Sequence, residues 1–305
     1  WSNIGVIRAS GDADAGIALV KQLSYVVALK QWSTQVFADV GASPGSPLKL
    51  LPEAQTPYGC TNGRTVQQLD DSIIWVTAGK LSTPQVARMD NLTTRIVSTP
   101  AVDRLLTKFS DTTTTGPMHV VSWVMKQGGH RLYGLTSTVQ NYTLVYDLDQ
   151  DLWYFWAKYD GTYFPIASMS TAGGGPTGAR VFAQHVDNGK IYQVLPQDQY
   201  YTDEGTVYPV DIYTPNFDAG TMRRKVVSMM SFSGDQVPGS TLLERHSDDD
   251  YQTWSSFRPV DLSYSKPILA NMGTFDTNRA HHFRHEVATP FRLKAVNLQL
   301  DFGSL

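Results

Sequence analysis

The most constraining feature of this 305-residue chain is a succession of short β-forming segments broken by tight turns, sharpest between Tyr142 and Gly161 (YTLVYDLDQDLWYFWAKYDG). Here a strand ends in Tyr146-Asp147, the acidic turn Asp149-Gln150-Asp151 follows, and an aromatic strand, Leu152-Trp153-Tyr154-Phe155-Trp156, returns. Such large rings need neighbouring sheets to cover them. A carboxylate at Asp147 is placed to accept hydrogen bonds from the amides of the turn it precedes.

The same grammar recurs along the chain. Strands are expected over Leu23 to Lys30, continuing through Gln31 to Val40 after a break, then Ser72 to Val76 before Gly79-Lys80, and His119 to Met125 before the turn Gln127-Gly128-Gly129-His130. Arg131 to Leu135, Tyr142 to Asp147 and Leu152 to Lys158 follow at regular spacing, and Arg180 to Val194 reads as a hairpin with Asp187-Asn188-Gly189 at its tip. Gly173-Gly174-Gly175-Pro176 is a turn with no helix behind it, so it offers no phosphate cradle. Short strands at spacings of roughly 8–12 residues point to a sandwich, barrel or propeller. The Tyr142–Gly161 hairpin resembles a kelch-type propeller blade, and two or three such units are countable. One helix is expected, capped by Thr99, opened by Pro100, with Val102, Leu105, Leu106 and Phe109 on one face. The fold class is therefore all-β, propeller-like over 1–200. The polar stretch Gln197 to Gly205 serves as a linker to a C-terminal region, 201–305, that is sandwich-like or returns to the propeller. Its strands are expected at Tyr208 to Tyr213, Lys225 to Ser231, Leu242 to His246, Trp254 to Arg258, Ala280 to Glu286 and Phe291 to Phe302. The chain opens on Trp1 in mid-pattern, so an upstream segment is expected.

Composition narrows the function. Charged residues are only 17% of the chain against roughly a quarter in ordinary soluble domains, with the difference made up by residues suited to pleated surfaces and turns. A net charge of −3 argues against a general nucleic-acid binder yet suits a wall along which DNA must slide, because phosphate contacts supply most non-specific affinity. Cys60 is the only cysteine, which rules out an intrachain disulfide and fits folding in a reducing cytoplasm. No apolar run approaches the ~18 residues of a membrane-spanning helix.

Four constellations carry chemistry or mimic it. Ser247-Asp248-Asp249-Asp250-Tyr251-Gln252-Thr253-Trp254 resembles the Asp box of sialidases and related propellers, in which an Asp bonds turn amides and a Trp anchors the hairpin. Ser247, Asp249, Thr253 and Trp254 take the box positions, while Tyr251 replaces the glycine and puts the left-handed turn conformation in doubt. The three aspartates also invite a calcium loop, but adjacent carboxylates on an extended turn point in different directions. His281-His282-Phe283-Arg284-His285 invites a metal, yet His281 and His285 lie about 13 Å apart along a strand and His282 faces the other way; a partly solvated polar strand is the expected reading. Arg223-Arg224-Lys225 is the strongest basic cluster, either protecting a strand edge or contacting phosphate or a neighbouring subunit. No catalytic motif of a nucleophile, phosphate loop or metallopeptidase type is present, so no catalytic residue, metal or cofactor is expected.

Three blocks, in order, resemble the packaged-DNA stabilisation (head-completion or tail-nozzle) proteins of short-tailed bacteriophages. Residues 16 to 40 match the stretch in which strands lead to an apolar strand and a glycine. Residues 59 to 106 match the central block, with Asp-Ser-Ile-Ile-Trp-Val and a Ser-Thr-x-Ala-Val-Asp helix start. Residues 242 to 302 match the C-terminal block ending in FRLKAVNLQLDFG. The resemblance implies a non-enzymatic virion tail component, assembled in the host cytoplasm. It forms a ring homo-oligomer, a hexamer, beneath the portal or connector adaptor, docks a tail needle, fibre or tailspike, and surrounds double-stranded DNA without reading its sequence. A propeller suits that role because radial sheets leave few free edges, and rotational assembly needs two different surfaces per subunit. The competing reading is a carbohydrate-binding or sialidase-like propeller, motivated by the Asp-box resemblance and by 15 tyrosines and 7 tryptophans.

Overall fold

The computed structural model describes residues 9, 13–41, 46–77, 83–109, 120–173, 180–194, 201–203 and 205–303. The chain divides into two compact units, Trp1–Leu195 and Pro196–Leu305. Most of the Gln197 to Gly205 stretch, and Gly174 to Pro176, lie outside the described residues.

The first unit is a series of antiparallel meanders, each strand pairing with the next in sequence. β1 (Gly16–Gln22), β2 (Tyr25–Lys30), β3 (Thr34–Asp39) and β4 (Leu48–Leu50) form one sheet. β5 (Gln67–Leu69), β6 (Ser72–Thr77), β7 (Gln85–Asp90) and β8 (Thr93–Ile96) form a second, and α1 (Pro100–Phe109) follows it. β9 (Val120–Gln127), β10 (His130–Ser137), β11 (Tyr142–Asp147) and β12 (Leu152–Phe155) form the third; β13 (Ile166–Ala172), β14 (Arg180–His185) and β15 (Ile191–Val194) form a three-stranded fourth. Aspartate and asparagine supply left-handed residues at the hairpin tips, at Asp70, Asn91, Asn141 and Asp151, because their short polar side chains tolerate that conformation.

The sheets stack face to face, as propeller blades do, and the second and third bury both faces. The first and second share Val27, Leu29, Val36, Ile73, Trp75, Ala87 and Met89. The second and third, with the apolar face of α1, share Ile74, Val76, Val86, Leu106, Tyr133, Leu135 and Tyr146. The third and fourth share Trp123, Met125, Val145, Ile166 and Ala183. That two-sided demand explains why β6 is buried from end to end: with neighbours on both faces, alternation between apolar and polar residues disappears.

Polar clips bridge the layers. Gln22 Nε2 donates to the Asp71 and Met89 carbonyls at 2.8 Å each, Tyr133 Oη to the Thr65 carbonyl at 2.7 Å, and Trp153 Nε1 to the Val97 carbonyl at 2.9 Å. Gly59 admits a close backbone crossing, since a Cβ there would sit 2.2 Å from the Gln31 carbonyl oxygen; its own carbonyl accepts from Trp75 Nε1.

The aromatic hairpin behaves as its sequence demanded. Asp147 Oδ1 accepts from the Asp149 and Gln150 amides at 2.9 and 3.2 Å. Tyr146 stacks on Trp153 with ring centres 5.1 Å apart, and Trp156 reaches Trp123 and Phe164 in the next layer. Its second strand stops at Phe155, short of the expected Lys158. The helix forms as read: Thr99 Oγ1 accepts from the Val102 amide at 3.4 Å. Beyond the two or three units countable from sequence, four sheets stand among the described residues of the first unit; the first two, in the region from Leu23 to Trp75 where degenerate blades were one expectation, lack the aromatic signature that marks the third.

The second unit is built differently. After the short hairpin β16 (Thr202–Asp203) and β17 (Thr206–Val207) come β18 (Val210–Tyr213), β19 (Lys225–Gly234), β20 (Thr241–Ser247), β21 (Arg258–Asp261), β22 (Ile268–Ala270), β23 (Thr274–Phe275), β24 (Ala280–His285) and β25 (Leu293–Phe302). One sheet runs β18-β24-β20-β21; in the other, β22 and β23 pair with one side of β19 and β25 pairs with the other. The chain crosses repeatedly between the sheets, β20 and β21 staying in one and β22 and β23 in the other, and together they enclose Val227, Met230, Phe232, Leu242, Val260 and Phe283 in a sandwich core. Trp254 to Phe257, expected as strand, is irregular, and β21 begins only at Arg258; the segment is used by the turn described next.

Candidate functional site

The Asp-box-like turn leaves the end of β20. Asp249 Oδ1 accepts from Ser247 Oγ and from the Thr253 amide, both at 2.8 Å, and its Oδ2 accepts from Thr253 Oγ1 at 2.5 Å. Bonds from the Thr253 hydroxyl and amide and from Ser247 hold this carboxyl down at about 2. Tyr251 adopts the left-handed conformation that the glycine would have supplied, at φ 67°, and Asp250 does so at φ 55°. Its amide donates to Ser247 Oγ at 3.0 Å and its hydroxyl to the Thr214 carbonyl at 3.0 Å, so bonds from both ends of the residue offset the strain.

The neighbouring aspartates diverge. Asp248 forms a fork-to-fork pair with Arg279, at 2.6 and 2.7 Å, and that guanidinium, almost fully buried, also donates to the Met272 and Thr274 carbonyls. Asp250 accepts from Asn216 and Asn278. Three carboxylates held by three separate sets of donors do not converge on a common point, and no group of three metal-ligating side chains stands together among the described residues. Trp254 anchors the turn: its ring meets Tyr213 edge-on at 5.8 Å and lies under the Arg245 guanidinium at 4.9 Å. Ser247, Asp249, Thr253 and Trp254 thus act together.

β24 departs from expectation. Far from being partly solvated, it is the inner strand between β18 and β20, with His281, His282 and His285 buried. Each ring has its own polar partner: His281 Nδ1 meets Glu244 Oε1 at 2.8 Å, His282 Nε2 meets Asp211 Oδ1 at 2.6 Å, and His285 Nε2 meets Ser240 Oγ at 2.9 Å. Composition conceals such burial, since a polar side chain enters a core only when a partner, distant in sequence, satisfies it. Burial alone would raise the Glu244 carboxyl; His246 and His281 outweigh it and hold the group below its usual value. Ser255 Oγ lies 3.3 Å from His246 Nδ1, and Glu244 Oε1 lies 3.7 Å from the same nitrogen. A serine–histidine–carboxylate relay requires opposite ring nitrogens, so this grouping is not one.

The basic cluster splits. Lys225 is fully buried, donates to the Asp276 and Thr277 carbonyls at 2.8 and 3.1 Å, and lies against the Phe275 ring. It is therefore withdrawn from phosphate or subunit contact, because a cation at the start of a central strand must spend its donors inside. Arg223 and Arg224 remain exposed, the latter bonding Thr274 Oγ1 at 3.1 Å.

Comparison with known proteins bears on the first unit. A phage-stabilisation family model, described as bacteriophage P22 Gp10, beta-propeller, matches residues 3–161, slightly more than half of the 305 residues. The chain belongs to this family. Membership gives it a structural, DNA-stabilising role in a bacteriophage, and the matched stretch contains the first three meander sheets and α1. No curated protein matches. Among solved structures, a glycoside hydrolase aligns at 12% identity over 92% of this chain and 83% of its own, with a TM-score of 0.25. The N-terminal domain of Nup159 aligns at 11% identity over 87% and 62%, with a TM-score of 0.30. The Trypanosoma rangeli sialidase aligns at 10% identity over 90% and 65%, with a TM-score of 0.30. At these scores the superpositions carry no argument about fold or activity. No helix among the described residues is long and apolar enough to cross a membrane.

Proposed function

We propose that this chain is a subunit of the tail nozzle, a ring homo-oligomer of six copies that closes the portal–connector channel, retains packaged DNA and docks a needle, fibre or tailspike. The observation carrying the reading is the family match across the stacked meander sheets. Sheets stacked face to face make a stiff block with few open edges, which is what a plug under the pressure of packaged DNA requires. A net charge of −3 supports passage of DNA past the subunit, because a weakly charged wall does not trap phosphates. In this reading the Asp-box-like turn is structural, holding the end of β20, and Arg223 and Arg224 contact an acidic neighbour or the DNA backbone. The chain works without a cofactor, as a virion part rather than an enzyme.

Deleting the gene in its phage is expected to give heads that package DNA and then lose it, and a particle reconstruction is expected to place six copies of this chain below the connector. Density for the chain elsewhere in the particle, or full DNA retention in the deletion, would sink the proposal.

A further inference from the structure

One cation in the second unit is oriented by its neighbours yet lacks a carboxylate partner among the described residues. Arg245 stands in a cross-strand row: it lies opposite His282 on β24, which lies opposite Tyr213 on β18. The alternate residues of these strands, Leu242, Phe283 and Ile212, belong to the core or pack against it, so the row lies on the outer face of the sheet. Arg245 Nε donates to His282 Nδ1 at 2.8 Å, and the other nitrogen of that ring meets Asp211 Oδ1 at 2.6 Å. The guanidinium carbon lies 4.9 Å from the Trp254 ring centre and 4.5 Å from that of Phe257. A planar cation bonded at Nε and packed on two rings has its orientation set before any ligand arrives.

The remaining donors of that guanidinium are unused. Among the described residues Nη1 and Nη2 make no hydrogen bond, and neither is a buried unpaired atom, so both reach solvent. The contrast with neighbouring arginines is clear: Arg279, Arg284 and Arg292 have carboxylate oxygens at 2.6, 2.9 and 2.8 Å. One N–H from each Nη, parallel and in one plane, fits the two oxygens of a carboxylate. Aromatic surface adjoins this fork. Tyr213 stacks one face on His282, ring centres 4.1 Å apart and 11° from parallel, and is still 55% exposed, so its other face is open. Tyr251, 41% exposed, extends the surface beyond Trp254, with ring centres 6.0 Å apart. Flat apolar rings beside a carboxylate fork match a ligand with a flat C–H face and an acid group, which describes a pyranose acid.

We infer that this face binds a sugar acid, a uronic acid free or within a polysaccharide, its carboxylate bridging Arg245 Nη1 and Nη2 and its C–H face resting on Tyr213. The inference goes beyond the nozzle reading and does not depend on it: every residue it uses lies in the second unit, outside the family-matched stretch. The Asp-box-like turn keeps its structural part, because it holds the Trp254 ring against Arg245.

The test titrates the full chain with galacturonate, its methyl ester and galactose, followed by calorimetry and by the Trp254 indole N–H resonance. A bidentate ionic pair is stronger than neutral hydrogen bonds, so galacturonate is expected to bind about ten-fold more tightly than either neutral sugar. Arg245→Lys keeps the charge but loses the fork, and should remove that preference. Tyr213→Ala, at an exposed position, should weaken all three sugars. A tetragalacturonide that binds as well as the monosaccharide assigns a polysaccharide; binding of the monosaccharide alone assigns the free acid. Equal affinities for galacturonate and galactose, or no saturable shift, would overturn the inference in the unaltered protein, whether or not either variant folds. So would tighter binding of acetyl-glutamate amide than of galacturonate, because the carboxylate would then come from a peptide.

Discussion

At the scale of single residues, the acidic turn after β20 shows how local bonding sets a charge. Asp249 gathers the Ser247 and Thr253 hydroxyls and the Thr253 amide around one carboxylate. Its folded pKa of about 2 lies below the ordinary value of 3.8. A carboxyl depressed on folding contributes stability that is complete above the unfolded value and is lost as pH falls through the folded one. The contribution should therefore be constant at neutral pH and fade between about pH 4 and pH 2. Following the Asp249 carboxyl carbon by NMR should place its midpoint near 2; a midpoint near 3.8 would mean that the turn bonds do not persist in solution. Sequence made this residue legible, because a box of Ser-x-Asp followed by Thr-Trp encodes its own partners within seven positions. It could not show that Tyr251 would take the glycine's conformation, since the hydroxyl bond that holds it goes to Thr214, 37 residues away.

Elements were legible where their partners lie close in sequence. The β11–β12 hairpin and α1 are signalled by a turn and by a cap. β24 was legible as a strand but not as a buried one, because Glu244, Asp211 and Ser240, which satisfy its histidines, come from other parts of the chain. The pairing of β9 with β10 illustrates a constraint visible only in space. Gly134 sits directly opposite Trp123, and a Cβ at Gly134 would lie 2.1 Å from the indole. That ring has nowhere to go: it is 1% exposed, packed on Trp156 and Phe164, and bonded through Nε1 to Thr136 Oγ1. Gly134→Ala should therefore overpack the layer between the third and fourth sheets and cost roughly 2–3 kcal/mol. In urea denaturation the midpoint should fall with little change in slope. A loss below about 0.5 kcal/mol would place Gly134 among ordinary surface-tolerant positions and undo this account of the layer.

For the molecule as a whole, the two units differ in how they close their cores. In the first, every interior face belongs to two sheets, so each sheet depends on the next. In the second, every described ladder from β16 to β25 pairs within the unit, and its core cluster draws only on residues between Ile212 and Leu300. Both sheets of that sandwich are complete without borrowing a strand, and the charges they bury are matched inside: Lys225 by carbonyls, Arg279 by Asp248, Glu244 by His281. A domain that satisfies its own apolar and polar demands folds alone. The segment 201–305, produced by itself, should accordingly give a dispersed amide NMR spectrum and one cooperative thermal transition. A collapsed spectrum without a cooperative melt would mean that the sandwich borrows stability from outside its own strands, and the division of the chain would then be one of geometry rather than of folding.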